Sequence, residues 1–259
     1  MNPINRRQAL GSIGLAAGAG LWPGFGSDLR SAPQAENKPP GAWSYTSLDP
    51  DAVAAEAYRL FADGGCMYGL FGAVVTGLAS KLGEPFRSFP LHMMRYGKGG
   101  VGGWGSLCGT LNGGAAVIGL VEPAKERQAQ LVAELFSWYE TTPLPSYQPN
   151  RHHDSAALPK SVSGAVLCHV SVHRWCEASG CEVESDEMKE RCRRLTADAA
   201  AKTVELLNRN LQKATDFAGL ASEVKSCVSC HGKDDQADAF GTMQCNTCHQ
   251  LSKDHPDDK

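Results

Sequence analysis

One arrangement of side chains occurs twice near the C-terminus: Cys227-Val228-Ser229-Cys230-His231 and Cys245-Asn246-Thr247-Cys248-His249. Two thiols three positions apart can each add to one vinyl group of a haem, and an imidazole directly after them is placed to coordinate the iron on its proximal side. Cys-x-x-Cys-His is the attachment pattern of c-type haem. The thioether bonds retain a cofactor that a small exposed pocket would lose. On this reading Cys227, Cys230, Cys245 and Cys248 carry two haem c groups, with His231 and His249 as proximal ligands. Zinc is the main rival, because fourteen residues, 231 to 244, separate the pairs, close to a zinc-ribbon spacing. A His follows each pair, which zinc does not require, and the tail is too polar to bury a core around one ion. A disulfide pair is the other rival.

Each haem iron has a sixth position. Filled, it suits electron transfer; vacant, it suits gas binding or catalysis. Candidates are His92, His152, His153, His169, His173 and His255, with Met67, Met93, Met94 and Met243 behind them. His255 stands so near His249 that it reads as a solvated tail residue, and His152 and His153 sit in a loop between Pro143 and Pro159. The tail's own apolar residues, Val228, Phe240, Met243 and Leu251, cannot offset the ordering of about thirty residues at roughly 1–2 kcal/mol each. It is therefore expected to order only around haem.

Six cysteines remain: Cys66, Cys108, Cys168, Cys176, Cys181 and Cys192. An even number permits full disulfide pairing in an exported protein, and buried free thiols are also possible. An iron–sulfur cluster needs three or four thiolates. Cys66 follows two glycines at the start of an apolar helix, where the helix dipole favours thiolate. Cys108 sits in a glycine-rich segment whose backbone N–H groups could serve cluster sulfurs.

These residues need a scaffold and an address. Arg6-Arg7 precedes a soft apolar run, residues 9–25, which reads as a twin-arginine export signal with cleavage near Ala32 or Ala35. That route carries proteins already folded. Haem c is added outside, so a cluster inserted inside would give a reason for it. The sequence divides into a signal, 1–35; a linker, 36–48, rich in proline at its start; a helical cysteine-rich domain, 49–215; and a dihaem segment, 216–259. Nothing after the signal reads as apolar enough to span a bilayer, so the mature chain is expected to be soluble and periplasmic. The 42% hydrophobic content allows a real core, and a net charge of -3 points to neither nucleic acid nor an anionic membrane surface.

The fold class expected is mostly α, with irregular glycine-rich loops and a short haem-binding tail. Asp49 can cap a helix with Pro50 at its first position, and Val53, Ala57, Leu60 and Phe61 form an apolar stripe at helical spacing. Gly64-Gly65 interrupts this stripe before a second apolar helix from Cys66 to Leu82. Further helices are suggested by the apolar runs 115–121 and 131–138, by 162–178, and by a long stripe beginning near Ser185: Met188, Cys192, Leu195, Ala199 and Leu206.

Gly65-Cys66, the apolar helix after it, and Gly99-Gly100-x-Gly-Gly-x-Gly-x-x-Cys108-Gly109 resemble the redox proteins named for their cysteine–glycine pattern. Cys168 and Cys192 are similar to the two later cysteines of that pattern, while Met67 stands where a small residue is customary. With two haem motifs added, the chain resembles the split-Soret cytochromes c over roughly residues 45–250. The resemblance implies a homodimer with its haems gathered at one end, haem pairs close enough to split the Soret band, bis-His irons with a ligand given across the dimer, and an iron–sulfur centre in the main domain. Carried over, His231 and His249 are proximal ligands. His92 and His169 are the distal candidates, with His173 one turn further along as reserve. Cys66, Cys108, Cys168 and Cys192 are the cluster candidates, with Cys176 or Cys181 able to replace Cys66. The function implied is single-electron transfer between periplasmic redox proteins, by a carrier and not an enzyme. A second possibility is a reductase of a small molecule at an open iron or the cluster, with Trp104 and the glycine loop lining a pocket. A third is a dimeric redox sensor or scaffold whose cysteines respond to oxidation.

Overall fold

The computed structural model describes residues 41–149, 157–232 and 240–250. The paired arginines and the apolar run read as an export signal, His152, His153, Leu251 and His255 lie outside the described residues.

Helix α1, Pro50–Leu82, starts as its sequence requires. The Asp49 carboxylate accepts hydrogen bonds from the N–H groups of Asp51 (3.0 Å) and Ala52 (3.5 Å), and Pro50 occupies a position with no donor to lose. Val53, Ala57 and Leu60 face the core. At Gly65 the backbone turns to φ 82°, ψ −167°, which kinks the helix and re-aims its second limb. That limb is buried at Cys66, Met67, Leu70, Phe71, Val74 and Leu78. By length and composition α1 could cross a membrane, contrary to the expectation that nothing after the export signal is apolar enough. Most of its apolar stretch is packed inside the fold, and it is the central helix of the core.

Four more helices follow: α2, Gly109–Val121; α3, Lys125–Thr141; α4, Cys168–Ser179; and α5, Asp186–Leu211; α2 and α5 pack on α1, and α3 packs on α2 and α5. Helix α5 runs along α1. It begins where Ser185 accepts from the Met188 N–H at 3.2 Å, with Asp186 and Glu187 at the positive end of its dipole. Leu111, Ile118, Leu131, Leu135, Leu195, Val204 and Leu207 complete a closed core with α1. A sixth helix, α6, Ser222–His231, belongs to the tail. The described residues contain no strand, only the isolated bridges Leu107–Leu167 and Leu144–Ser161.

Two helix starts differ from the periodicity. Helix α2 begins at Gly109 rather than near residue 115, because helices approach too closely there for side chains. A Cβ on Gly113 would stand 3.1 Å from the Met67 carbonyl oxygen, and one on Gly114 would stand 2.6 Å from Leu135. Helix α4 begins at Cys168 rather than near residue 162. Gly164 adopts φ 60°, and Leu167 bridges to Leu107, so the preceding segment is extended.

Candidate redox site

The glycine-rich segment is a turn of the wrong hand for ordinary residues. Gly99, Gly100, Val101, Gly102 and Gly103 are consecutive left-handed residues, φ 59° to 84°, a stretch that side chains disfavour. The turn closes on its own backbone, with the N–H of Gly105 donating to the Gly99 carbonyl (3.0 Å) and that of Ser106 to the Gly100 carbonyl (3.2 Å). Its far end then caps α4: the carbonyls of Ser106 and Gly105 accept from the N–H groups of Cys168 (2.7 Å) and His169 (3.0 Å). Glycine also allows close approach to the cysteines. A Cβ on Gly100 would meet Cys168 Cβ at 2.8 Å, and one on Gly109 would meet the Gly97 carbonyl oxygen at 2.3 Å and Cys66 Sγ at 3.3 Å.

Around this loop four elements each deliver a thiol. Cys66 follows the kink of α1, Cys108 precedes α2, Cys168 opens α4, and Cys192 lies in the second turn of α5. All four line one cavity of about 10 Å³, together with Tyr139, Ser171 and Arg191. Cys176 and Cys181 are not among its lining residues. No disulfide joins any of the ten cysteines. Burial pushes the Cys66 thiol far up, with Cys108, Cys192 and Cys168 adding to the effect and a hydrogen bond from the Gly99 backbone opposing it. Cys168 is pushed up to about 12, by burial first and then by Cys108 and Cys192. Cys192 is also raised by burial, against the pull of Arg191. Cys66, Cys168 and Cys192 therefore stay thiols until something cationic displaces their protons.

The residues between the thiols indicate what that occupant would be. Arg191 is 2% exposed. Its Nη2 donates to Ser171 Oγ at 2.7 Å and its Nη1 approaches Cys192 Sγ at 3.8 Å, while its Nε has no hydrogen-bond partner. No carboxylate among the described residues stands within ion-pair distance of it. Tyr139, fully buried, donates to Ser171 Oγ at 2.7 Å and also hydrogen-bonds Cys108. A sulfur-rich cavity with an unbalanced buried cation and several donors aimed at sulfur suits an anionic thiolate–iron centre. No three His, Cys, Asp or Glu side chains among the described residues stand at metal-binding spacing. The thiols share a cavity about the size of one water molecule.

The haem tail is tied to α3 at residues that flank its two motifs, Gly219 and Gln244. The first motif is the last turn of α6, and the second is a 3-10 turn, Cys245–Thr247. The Cys245 thiol hydrogen-bonds that of Cys227, so the two motifs are immediate neighbours. The Gln244 N–H donates to Glu140 at 3.2 Å, Thr247 Oγ1 donates to the Gly164 carbonyl, and the Gly219 N–H donates to Glu134 at 3.0 Å. Phe217 stacks with Arg127 and Arg209 at 5.2 and 4.7 Å. Glu140 is 3% exposed. Burial raises its pKa, opposed by the N–H groups of Gln244 and Val166. Val166 in turn accepts from the Cys108 N–H at 2.9 Å. Consecutive residues of α3 thus face different places: Tyr139 the thiol cavity and Glu140 the haem tail.

His92 lies on a 3-10 helix, Leu91–Gly97, that packs against α1, and His169 lies in the first turn of α4. Both are exposed. His173 stacks on His169 with ring centroids 6.2 Å apart and pairs with Glu177 at 3.3 Å. Trp104 stands 88% exposed in solvent instead of lining a pocket with the glycine loop. Sequence reasoning overlooked Arg191, Tyr139 and Ser171. Arg191 sits in a charged run beside Cys192 and reads as surface, and only tertiary packing shows it buried.

Comparison with known proteins gives a consistent picture. Residues 71–206 match the family described as "Putative redox-active protein (C_GCAxxG_C_C)". The matched span includes Cys108, Cys168 and Cys192 but begins five residues after Cys66, whose membership in the group rests on the cavity alone. The chain is 38% identical, over 95% of its own length and 94% of the relative's, to split-Soret cytochrome c of Desulfovibrio desulfuricans (strain ATCC 27774). A solved structure, described as a novel iron centre in the split-Soret cytochrome c from that strain, aligns with a TM-score of 0.75 and 37% identity. It covers 83% of this chain and 95% of the solved one.

Proposed function

The chain belongs to the split-Soret cytochrome c family, and from that premise we propose that it is a periplasmic single-electron carrier with two haem c groups and one thiolate-ligated iron centre. The observation that carries the reading is the convergence of Cys66, Cys108, Cys168 and Cys192 on one cavity, beside two neighbouring haem motifs in a tail tied to α3. Cys227 and Cys230 with His231 hold one haem; Cys245 and Cys248 with His249 hold the other. His92 and His169 supply the sixth ligands. Their exposed imidazoles suit donation to a haem of a second copy, and the carrier is a homodimer.

Each bound group supplies a one-electron couple. The chain's part is positioning and charge control. Glu140 and Gly164 fix the second motif against α3. The Gly99 N–H donates to the sulfur of Cys66, which favours its anionic form, and the Tyr139 hydroxyl oxygen is in hydrogen-bond contact with Cys108. The glycine loop and the second limb of α1 keep water from the cavity. Filled sixth positions keep small molecules from the irons, so the protein passes electrons and does not transform a substrate.

The test is the visible spectrum of the exported protein, oxidised and then reduced with dithionite, with non-haem iron and labile sulfide assayed on the same sample. Sharp α and β bands, a split Soret band, indifference to carbon monoxide and non-haem iron are expected. A rapid shift with carbon monoxide would reject the carrier reading. Zinc in place of haem would reject the whole assignment.

A further inference from the structure

Arg191 is a cation in a place that solvates none. Its side chain is buried, its Nε has no hydrogen-bond partner, and no carboxylate among the described residues pairs with it. Asp198, two turns along α5, feels its charge only at a distance and spends its own oxygen on the Ser146 N–H at 2.7 Å. A buried charge with no compensation would be expelled or strongly destabilising. Here it is instead held in position. Ser171 accepts from Nη2, and the Tyr139 hydroxyl donates to that same Ser171 Oγ, so two buried side chains orient the guanidinium toward Cys192.

We propose that Arg191 is the built-in counter-charge of the iron centre, holding its guanidinium beside the ligand sulfur of Cys192 to favour the reduced state. This rests on the reading that the four thiols hold iron. Reduction adds one negative charge, delivered by an external one-electron donor, to a site that is already anionic. A fixed cation at the sulfur offsets that added charge more than it offsets the oxidised state, so it raises the midpoint potential. Ser171 and Tyr139 are positioning residues that act through Arg191.

The experiment uses the exported, haem-loaded protein and the variants R191M, R191K and S171A. Non-haem iron is measured per haem, and the iron centre is titrated by electron paramagnetic resonance while the haem bands are followed as an internal reference. In R191M the iron centre should become harder to reduce by at least about tenfold, roughly 59 mV for a one-electron couple, while the haem midpoints stay in place. R191K should shift less, because it keeps the charge but loses the fork that reaches both Ser171 and Cys192. S171A should shift in the same direction by releasing the anchor. An unmoved iron midpoint in loaded R191M overturns the proposal. Where R191M does not accumulate as folded protein, unmoved midpoints in both R191K and S171A overturn it. A wild-type protein whose iron is all haem iron removes the iron-centre reading itself, and the role of Arg191 falls with it.

Discussion

Gly109→Ala is the sharpest probe of the way the thiol cavity is assembled. An added methyl carbon would sit 2.3 Å from the Gly97 carbonyl oxygen, 3.2 Å from its carbon and 3.3 Å from Cys66 Sγ. Ordinary contact begins near 3.4 Å, so one partner must move by about 1 Å. The obstructing atoms are backbone and the sulfur of a candidate ligand, not the end of a flexible side chain. Overpacking of this kind costs roughly 1–3 kcal/mol. For the iron centre the displacement matters more than the energy, since metal–ligand distances tolerate only about 0.2 Å. G109A should therefore keep its haem and lose most of its non-haem iron, with a lower unfolding midpoint. Gly119→Ala is the control on the same helix. Nothing lies within 4 Å of the added carbon, and replacing a glycine in a helix interior should stabilise by about 0.5–1 kcal/mol with iron unchanged. The assay is iron per haem together with chemical denaturation. A G109A protein as stable and as iron-rich as the parent would refute this account of the cavity.

Three further outcomes are expected. Asp198 has its pKa raised from 3.8 to about 6, chiefly by burial, and a raised carboxyl pKa means that the folded state binds the proton more tightly. Stability from this group is full below pH 4 and is lost as pH rises through about 6, so D198N should gain up to about 3 kcal/mol at pH 7 and nothing at pH 4, measured by denaturation across pH. Asn208 accepts from the Tyr45 hydroxyl (2.9 Å) and the Leu48 N–H (3.2 Å) and donates to the Leu48 carbonyl (2.8 Å). N208A should lower stability by about 2–4 kcal/mol in urea titrations, since three partners are left unmatched. A variant with Cys227, Cys230, Cys245 and Cys248 all changed to Ser should lose haem and, with it, ordered tail amide signals while the main domain keeps its own; a well-dispersed tail spectrum would contradict this.

The helices were readable where the signals are local. Asp49-Pro50 and Ser185 mark true starts, and the stripes of α1 and α5 face the core as their spacing requires. The haem motifs are readable because their spacing is fixed by covalent chemistry. The start of α2 was hidden, since glycines 113 and 114 depress helix propensity and their reason, contact with α1, α3 and α5, lies far away in sequence. The same holds within the thiol cavity. Each cysteine was visible as a candidate, but the choice of Cys66 over Cys176 or Cys181 depends on a kink at Gly65 that folds α1 against the glycine loop. Val101, a left-handed residue among glycines, gave no signal at all, because its conformation is imposed by its neighbours.

The pairing of Tyr139 with Glu140 bears on how such a chain can be recombined. The haem tail looks like a detachable module, a short polar segment after a finished helical domain. Its docking uses a buried carboxylate one peptide bond from the thiol cavity, and that carboxylate also binds the Val166 N–H, whose carbonyl steadies Cys108. Removing the tail strands Glu140 without its Gln244 donor. Grafting the tail onto a domain that has an apolar residue there leaves the second motif with no seat. Domains of this cysteine pattern that lack a haem tail should therefore carry something other than a buried acid at this position, and any gain of the tail should be accompanied by the acid.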